Sequence, residues 1–169
     1  EIIALGGKQI LLQGGHNIDL KIDYFEDLFQ RIKEQFDIHL HALSPPEIVH
    51  TAKISKLTIT DTIRRLSKSG LDSIPGGGGE ILVDHVRQKI SPHKCSTEEW
   101  LDVMATAHGM NIPTTATMMF GHIETNEDRV EHLRRLRDQQ DKTKGFTAFI
   151  PWPFQPGRTD LSFDLGITS

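Results

Sequence analysis

Four consecutive glycines, Gly76, Gly77, Gly78 and Gly79, stand between Pro75 and Glu80. Such a run accepts backbone geometry that side chains forbid and lets a main chain come close to a ligand. It follows an apolar stretch at residues 71–74 and leads into residues 81–90, where Leu82, Val86 and Ile90 fall on one helical face. That context predicts strand, glycine loop and helix. A glycine-rich turn after a strand suits a phosphate or a nucleotide, yet the Lys-Ser/Thr pair of a P-loop is missing here. A nucleoside with free hydroxyls is the better ligand, because an acid such as Glu80 accepts both ribose hydroxyl hydrogens. The competing reading is a turn that only admits close packing.

Other strand ends carry polar residues of their own. His39 and His41 form a His-x-His pair whose side chains share one face of a strand. Metal-dependent barrel hydrolases use such pairs, but they need further ligands at later strand ends. Glycines occupy the end of the third expected strand, so a hydrogen-bonded strand histidine is the better reading. Ser44-Pro45-Pro46-Glu47 fixes two φ angles. It either aims Glu47 at a defined point or opens a helix with an acid in its first turn. Residues 151–157 pair rigid prolines with Trp152 and Phe154, as a wall for a flat substrate or as a plug.

The elements that must position these residues recur regularly. Apolar, β-favouring stretches lie at residues 9–12, 38–43, 71–74, 114–120 and 146–150, a spacing suited to βαβ units, and predict five parallel strands. Between them, Asp23 with Glu26 is expected to cap a helix whose inward stripe is Phe25, Leu28, Phe29, Ile32 and Phe36. Ser96 with Glu99 opens a helix carrying Trp100, Val103, Met104 and Ala107 and ending at Gly109. Thr125 with Asp128 opens another, with Val130, Leu133 and Leu136 inward, and Ile63 with Leu66 marks a shorter one. A doubly wound sheet fits 169 residues by length. Polar or glycine-rich material at nearly every strand end favours a partial (β/α) barrel, which collects its site from all of them.

A chain of 169 residues with 37% hydrophobic and 25% charged content is expected to form one globular domain. Its net charge of -4 and dispersed basic residues predict no nucleic-acid partner. No apolar run suggests a membrane span, and a cytoplasmic location is expected. The one cysteine, Cys95, excludes an intrachain disulfide and a cysteine-cluster metal site within these residues.

Taken in order, Leu12-Gln13-Gly14-Gly15-His16, His39 to Ile48, Gly70 to Ile81, Thr115 to Thr125 and Phe146 to Trp152 closely resemble the radical S-adenosylmethionine enzymes of futalosine-dependent menaquinone biosynthesis. The resemblance implies a partial (β/α) barrel over residues 1–169, truncated at both ends, with about five strands present. It also implies S-adenosylmethionine and, in the full-length enzyme, a [4Fe-4S] cluster on a Cys-x3-Cys-x2-Cys loop. This chain lacks that loop, so the cluster is expected upstream of Glu1 and the chain alone is expected to be inactive. The implied reaction is radical-mediated oxidative cyclisation of dehypoxanthine futalosine, with the aminofutalosine and deazaflavin-cofactor reactions of the same superfamily as alternatives; a metal-dependent barrel hydrolase or a non-catalytic barrel fragment is the further alternative to that resemblance.

Residue by residue, the resemblance places Gln13, Gly14, Gly15 and His16 at the methionine amino group. Gly77, Gly78 and Glu80 fall at the ribose, and Met119 and Gly121 near the adenine. His41, Ser44, Glu47, Thr117 and Gln155 are implied on the substrate side, with Glu47 or His122 as the base that takes the final proton. No metal ligand is assigned on this chain. The implied partners are a small nucleoside substrate and an electron-donor protein.

Overall fold

The computed structural model describes residues 1–157. A 3-10 turn spans Ile3–Leu5. Four strands follow: β1 (Gln9–Leu12), β2 (His39–Ala42), β3 (Thr114–Phe120) and β4 (Phe146–Pro153). Between them run α1 (Ile22–Gln35), α2 (Pro45–Ser55), α3 (Ile59–Lys68), α4 (Asp84–Ile90), α5 (Thr97–Gly109) and α6 (Asn126–Thr143). β1 pairs with β2 and β3 with β4, both in parallel.

The third expected strand is not one. Residues 71–74 contribute only two parallel bridges, Ser73 to His41 and Ile74 to Thr114. The amide of Leu40, which a neighbouring strand would bind through a carbonyl, instead donates to the Asp72 carboxylate at 2.7 Å. Pro75 then offers no N–H to continue a ladder. The two bridges nevertheless link the pairs into one series: β1, β2, residues 73–74, β3, β4.

Alternation sorts the strand residues onto two faces. Leu40 and Ala42 of β2 and Ala116 of β3 are buried in one core with Phe29 of α1, Ile48 of α2, Ile63 and Leu66 of α3, and Trp100, Val103 and Met104 of α5. The helices also pack on one another, α1 on α3, α3 on α5 and α5 on α6. The opposite face, in register, presents Leu11, His41 and Ser73, then Thr115, Thr117 and Met119 beside Ala148, Ile150 and Trp152.

Capping boxes start α5 at Ser96 with Glu99 and α6 at Thr125 with Asp128, as expected. The shorter helix expected around Ile63 and Leu66 is α3, with both residues buried, whereas other helical expectations are corrected. α1 begins after Lys21 with no side-chain cap, because Asp23 and Glu26 are drawn across to Arg65 of α3. Phe36 lies past the end of α1 and is exposed, and Val130 and Leu133 of α6 are exposed too. The inward place on α6 belongs to His132, which is fully buried. α4 starts at Asp84, because the Leu82 amide is turned to His132 Nδ1 at 2.9 Å. The Pro151-Trp152-Pro153 segment extends β4, with Trp152 opposite Met119.

Candidate functional site

The glycine run is where the other strand ends converge. A Cβ on Gly76 would lie 2.5 Å from the carbonyl oxygen of Thr115. On Gly77 it would lie 2.3 Å from Gln13 Nε2, and on Gly78 2.3 Å from Pro46 Cγ. The turn after β1, the first turn of α2 and the backbone of β3 therefore meet here at distances that only glycine permits. The packing reading of the run is thus satisfied by protein neighbours at three of its four positions.

All four glycine carbonyls are held from within. Thr117 Oγ1 donates to Gly76 O at 2.5 Å and Trp100 Nε1 to Gly77 O at 3.2 Å. Arg87 Nη1 donates to Gly78 O at 3.0 Å and Gly79 O at 2.7 Å, while its Nη2 reaches Cys95 O at 2.5 Å. Arg87 is 3% exposed, and the nearest carboxylate, Asp84, stands 3.9 Å away. A guanidinium buried against carbonyls is a costly arrangement whose return is a rigid loop.

The residue that this loop presents is Glu80. Its φ is +36°, a conformation that side chains avoid. Among the described residues, only two of the non-glycine residues with positive φ lie away from helix C-termini, Leu43 and Glu80, and both border this site. The Glu80 carboxylate is buried; Oε1 pairs with Lys94, and Oε2 is buried with no partner among the described residues. A strained backbone carrying a half-satisfied buried carboxylate marks a place prepared for a hydrogen-bond donor. Met119 stands next to it, its amide donating to Glu80 O at 2.9 Å.

Glu47 has the opposite character. Its Oε1 accepts from the amides of Gly14 at 2.6 Å and Gly15 at 2.9 Å. Its Oε2 accepts from the Ser44 amide at 2.8 Å and the Ser44 hydroxyl at 2.6 Å. The carboxylate both caps α2 and clamps the turn after β1 onto it. The adjacent His16 stacks on His50 of α2, with centroids 5.0 Å apart. Burial and, next, the His50 ring hold the His16 imidazole below its ordinary pKa.

Beyond β3, Glu124 organises the turn that contains Gly121 and His122. It accepts from the Gly121 amide at 2.6 Å and the His122 amide at 2.8 Å, and pairs with Arg129. Burial alone would raise this carboxyl, but the Gly121 amide, Arg129 and two further amides hold it below the usual carboxylate range. His122 is enclosed by the same turn. Its Nε2 lies 3.1 Å from Met119 O and its Nδ1 accepts from the Ile123 amide at 2.8 Å. Both expected bases, Glu47 and His122, thus have their polar atoms committed within the protein.

His39 and His41 do share a face, and between them lies Ser73. Its Oγ is 2.6 Å from His39 Nε2 and 2.7 Å from His41 Nδ1. Gln155 is placed apart, exposed past β4. Its amide lies 3.5 Å from Pro153 O. Among the described residues, no three His, Cys, Asp or Glu side chains are grouped to hold a metal ion. Cys95 is buried, which pushes its thiol up to about 11 and leaves it protonated.

Sequence reasoning missed Arg87 and Lys94, which build this site from positions with no motif of their own. Trp100 was singled out as core, and Ser73 and Glu124 lay inside the resembling segments with no role assigned to either. No helix among the described residues is long and apolar enough to cross a membrane.

The sequence profile described as the Radical SAM superfamily matches residues 1–136. The chain is 46% identical over 162 residues to cyclic dehypoxanthine futalosine synthase of Streptomyces coelicolor, covering 95% of this chain and 41% of that protein. It is 44% identical over 162 residues to aminodeoxyfutalosine synthase of Thermus thermophilus, covering 95% and 44%. It is also 47% identical over 155 residues to 5-amino-6-(D-ribitylamino)uracil--L-tyrosine 4-hydroxyphenyl transferase of Methanothermobacter thermautotrophicus, covering 91% and 42%. The chain therefore spans about two fifths of the length of the curated relatives it matches.

Proposed function

The chain belongs to the radical SAM superfamily, and on that premise we propose that it forms an arc of a (β/α) barrel in an enzyme that cyclises dehypoxanthine futalosine. The series β1, β2, residues 73–74, β3, β4, all parallel, supports the barrel, with helices packed on one face and polar side chains gathered at the strand ends. A doubly wound sheet reverses its strand order at a switch point, and this series has no reversal.

The family uses S-adenosylmethionine with a [4Fe-4S] cluster, which together supply a 5′-deoxyadenosyl radical for hydrogen abstraction. The residues present fit the first of these groups. The observation that carries this reading is Glu80, whose buried Oε2 lacks a donor and would accept from a ribose hydroxyl. Gly14 and Gly15, fixed by Glu47, hold the turn at which the methionine amino group is expected. Met119 and Gly121 flank the proposed adenine position. The cluster does not fit these residues, since one buried, protonated thiol cannot replace three thiolates. We assign its ligands to the part of the full-length protein outside this chain, and its reduction to an electron-donor protein.

Three relatives with different named reactions lie within a few per cent identity of one another. Ser44-Pro45-Pro46-Glu47 and the proline before the glycines support the cyclase, by resemblance to that enzyme. The two segments are physically one feature, since Pro46 packs on Gly78. On the strand face opposite the helices, His41 and Thr117 stand toward the substrate, and a closed barrel would keep water from the radical.

Full-length anaerobic protein given S-adenosylmethionine, a one-electron reductant and dehypoxanthine futalosine is expected to release 5′-deoxyadenosine and the cyclic product. Failure with that substrate, together with turnover of the aminodeoxyfutalosine synthase substrate, would reassign the reaction within the superfamily.

A further inference from the structure

We propose that His41, Ser73 and His39 form a proton relay on the strand face turned away from the helices, with His41 taking the proton that the substrate releases on cyclisation. The proposal rests on the cyclase reading above. In that reaction a carbon radical adds to an aromatic ring, and the resulting cyclohexadienyl radical must lose one proton and one electron to become aromatic again. The electron leaves to a one-electron acceptor of the iron-sulfur class. The proton needs a base with an open lone pair, which the committed atoms of Glu47 and His122 do not offer.

The three side chains form a continuous hydrogen-bonded line. Ser73 Oγ stands 2.6 Å from His39 Nε2 and 2.7 Å from His41 Nδ1, and the parallel bridge between His41 and Ser73 fixes their backbones side by side. A hydroxyl has one hydrogen, so between two imidazole nitrogens it donates to one and accepts from the other. With His41 protonated at Nδ1, that N–H donates to Ser73, and the Ser73 hydroxyl donates to His39 Nε2. His41 Nε2 is then the open lone pair. When it receives the substrate proton, the Nδ1 proton passes to Ser73 Oγ and the original hydroxyl proton passes to His39 Nε2. The charge ends on His39, and His41 is neutral again with its tautomer exchanged.

The direction of transfer follows from burial. His41 is 9% exposed, whereas His39 is only half-buried at the start of β2. Burial and, next, the neighbouring His39 ring hold the His41 imidazole below its ordinary pKa, which keeps it neutral at pH 7. A cation is therefore less costly on the outer ring.

The test uses the full-length protein with Ser73→Ala, Ser73→Thr and His39→Gln. Relay loss is expected to leave S-adenosylmethionine binding within about twofold of wild type, while cyclic product formed per 5′-deoxyadenosine falls by about 100-fold in Ser73→Ala and His39→Gln. Ser73→Thr, which keeps the hydroxyl, is expected to restore most of the yield. A wild-type ratio in both Ser73→Ala and His39→Gln overturns the relay. Nitrogen-15 NMR of the histidines, recorded before cluster reconstitution, judges the relay without turnover. His41 is expected to be protonated at Nδ1 and to lose that preference in Ser73→Ala. A His41 tautomer indifferent to Ser73→Ala overturns the relay, whereas a wild-type enzyme that ignores dehypoxanthine futalosine overturns the cyclase reading alone.

Discussion

Glu80 combines three unfavourable features, a left-handed backbone, a buried carboxylate and one oxygen without a donor. The first alone costs about 1–3 kcal/mol, and native structures retain such residues where a ligand or a reaction uses them. Glu80→Gln keeps the shape but replaces a charged acceptor, and it disrupts the pairing with Lys94. A charged hydrogen bond contributes about 1.5–3 kcal/mol, so S-adenosylmethionine affinity of the full-length protein is expected to fall by about 10- to 100-fold in equilibrium binding. An unchanged affinity would remove the ribose role. His132 makes a second residue-scale prediction, on stability. Burial pushes its pKa down to about 4, from 6.5 in the unfolded chain. Between these values the unfolded state binds a proton that the native state refuses, so stability is complete above pH 6.5 and declines as pH falls toward 4. The loss amounts to at most about 3 kcal/mol. Urea unfolding at pH 7 and at pH 4.5 should therefore show His132→Gln closing its stability gap to wild type as the solution is acidified.

At the scale of elements, the glycine run acts as a joint between strand-end loops, and its glycines are not equivalent to those after β1. Gly78 has φ +72° and Pro46 packed where its Cβ would be, whereas Gly14 has open space around its Cβ position and no positive φ. Gly78→Ala is expected to destabilise by about 2–4 kcal/mol, adding backbone strain to overpacking, while Gly14→Ala shifts stability by about 0.5 kcal/mol or less. Chemical denaturation without cofactor separates the two. The sequence made β1, β2, β3, β4 and the starts of α5 and α6 legible, because short apolar runs between turn residues and Ser96/Glu99 or Thr125/Asp128 boxes are local signals. What it hid depended on distant partners. Asp23 reads as a cap until Arg65 of α3 is seen to take it, and residues 71–74 read as a strand until Asp72 is seen to occupy the Leu40 amide. The site divides in the same way. Glu80 followed from its place after the glycines, but Arg87 and Lys94 are charged residues of ordinary surface type, and only the folded chain reveals that Arg87 is buried against the glycine carbonyls and that Lys94 reaches the Glu80 carboxylate.

At the scale of the whole molecule, the strand series is open at both ends among the described residues. Among the described residues β1 pairs only with β2 and β4 only with β3, and Leu11 of β1 and Ile150 of β4 are 57% and 47% exposed. Unpaired parallel edges with apolar side chains are templates for another strand, so the 169-residue chain expressed alone is expected to self-associate as concentration rises. Ile150→Lys addresses the cause. In the isolated chain Ile150 lies half in solvent, and a charge on an edge strand costs about 0.5 kcal/mol or less while blocking pairing. Light scattering should show Ile150→Lys to be the more monomeric form. The same substitution in the full-length protein should act oppositely if these strands are an arc of a barrel, because Ile150 shares the face of Thr117 and would then point into a closed interior. An unpaired lysine there is expected to cost about 3 kcal/mol or more and to lower the unfolding midpoint. A full-length protein that tolerates the lysine as well as the isolated chain does would argue against closure of the barrel around this strand.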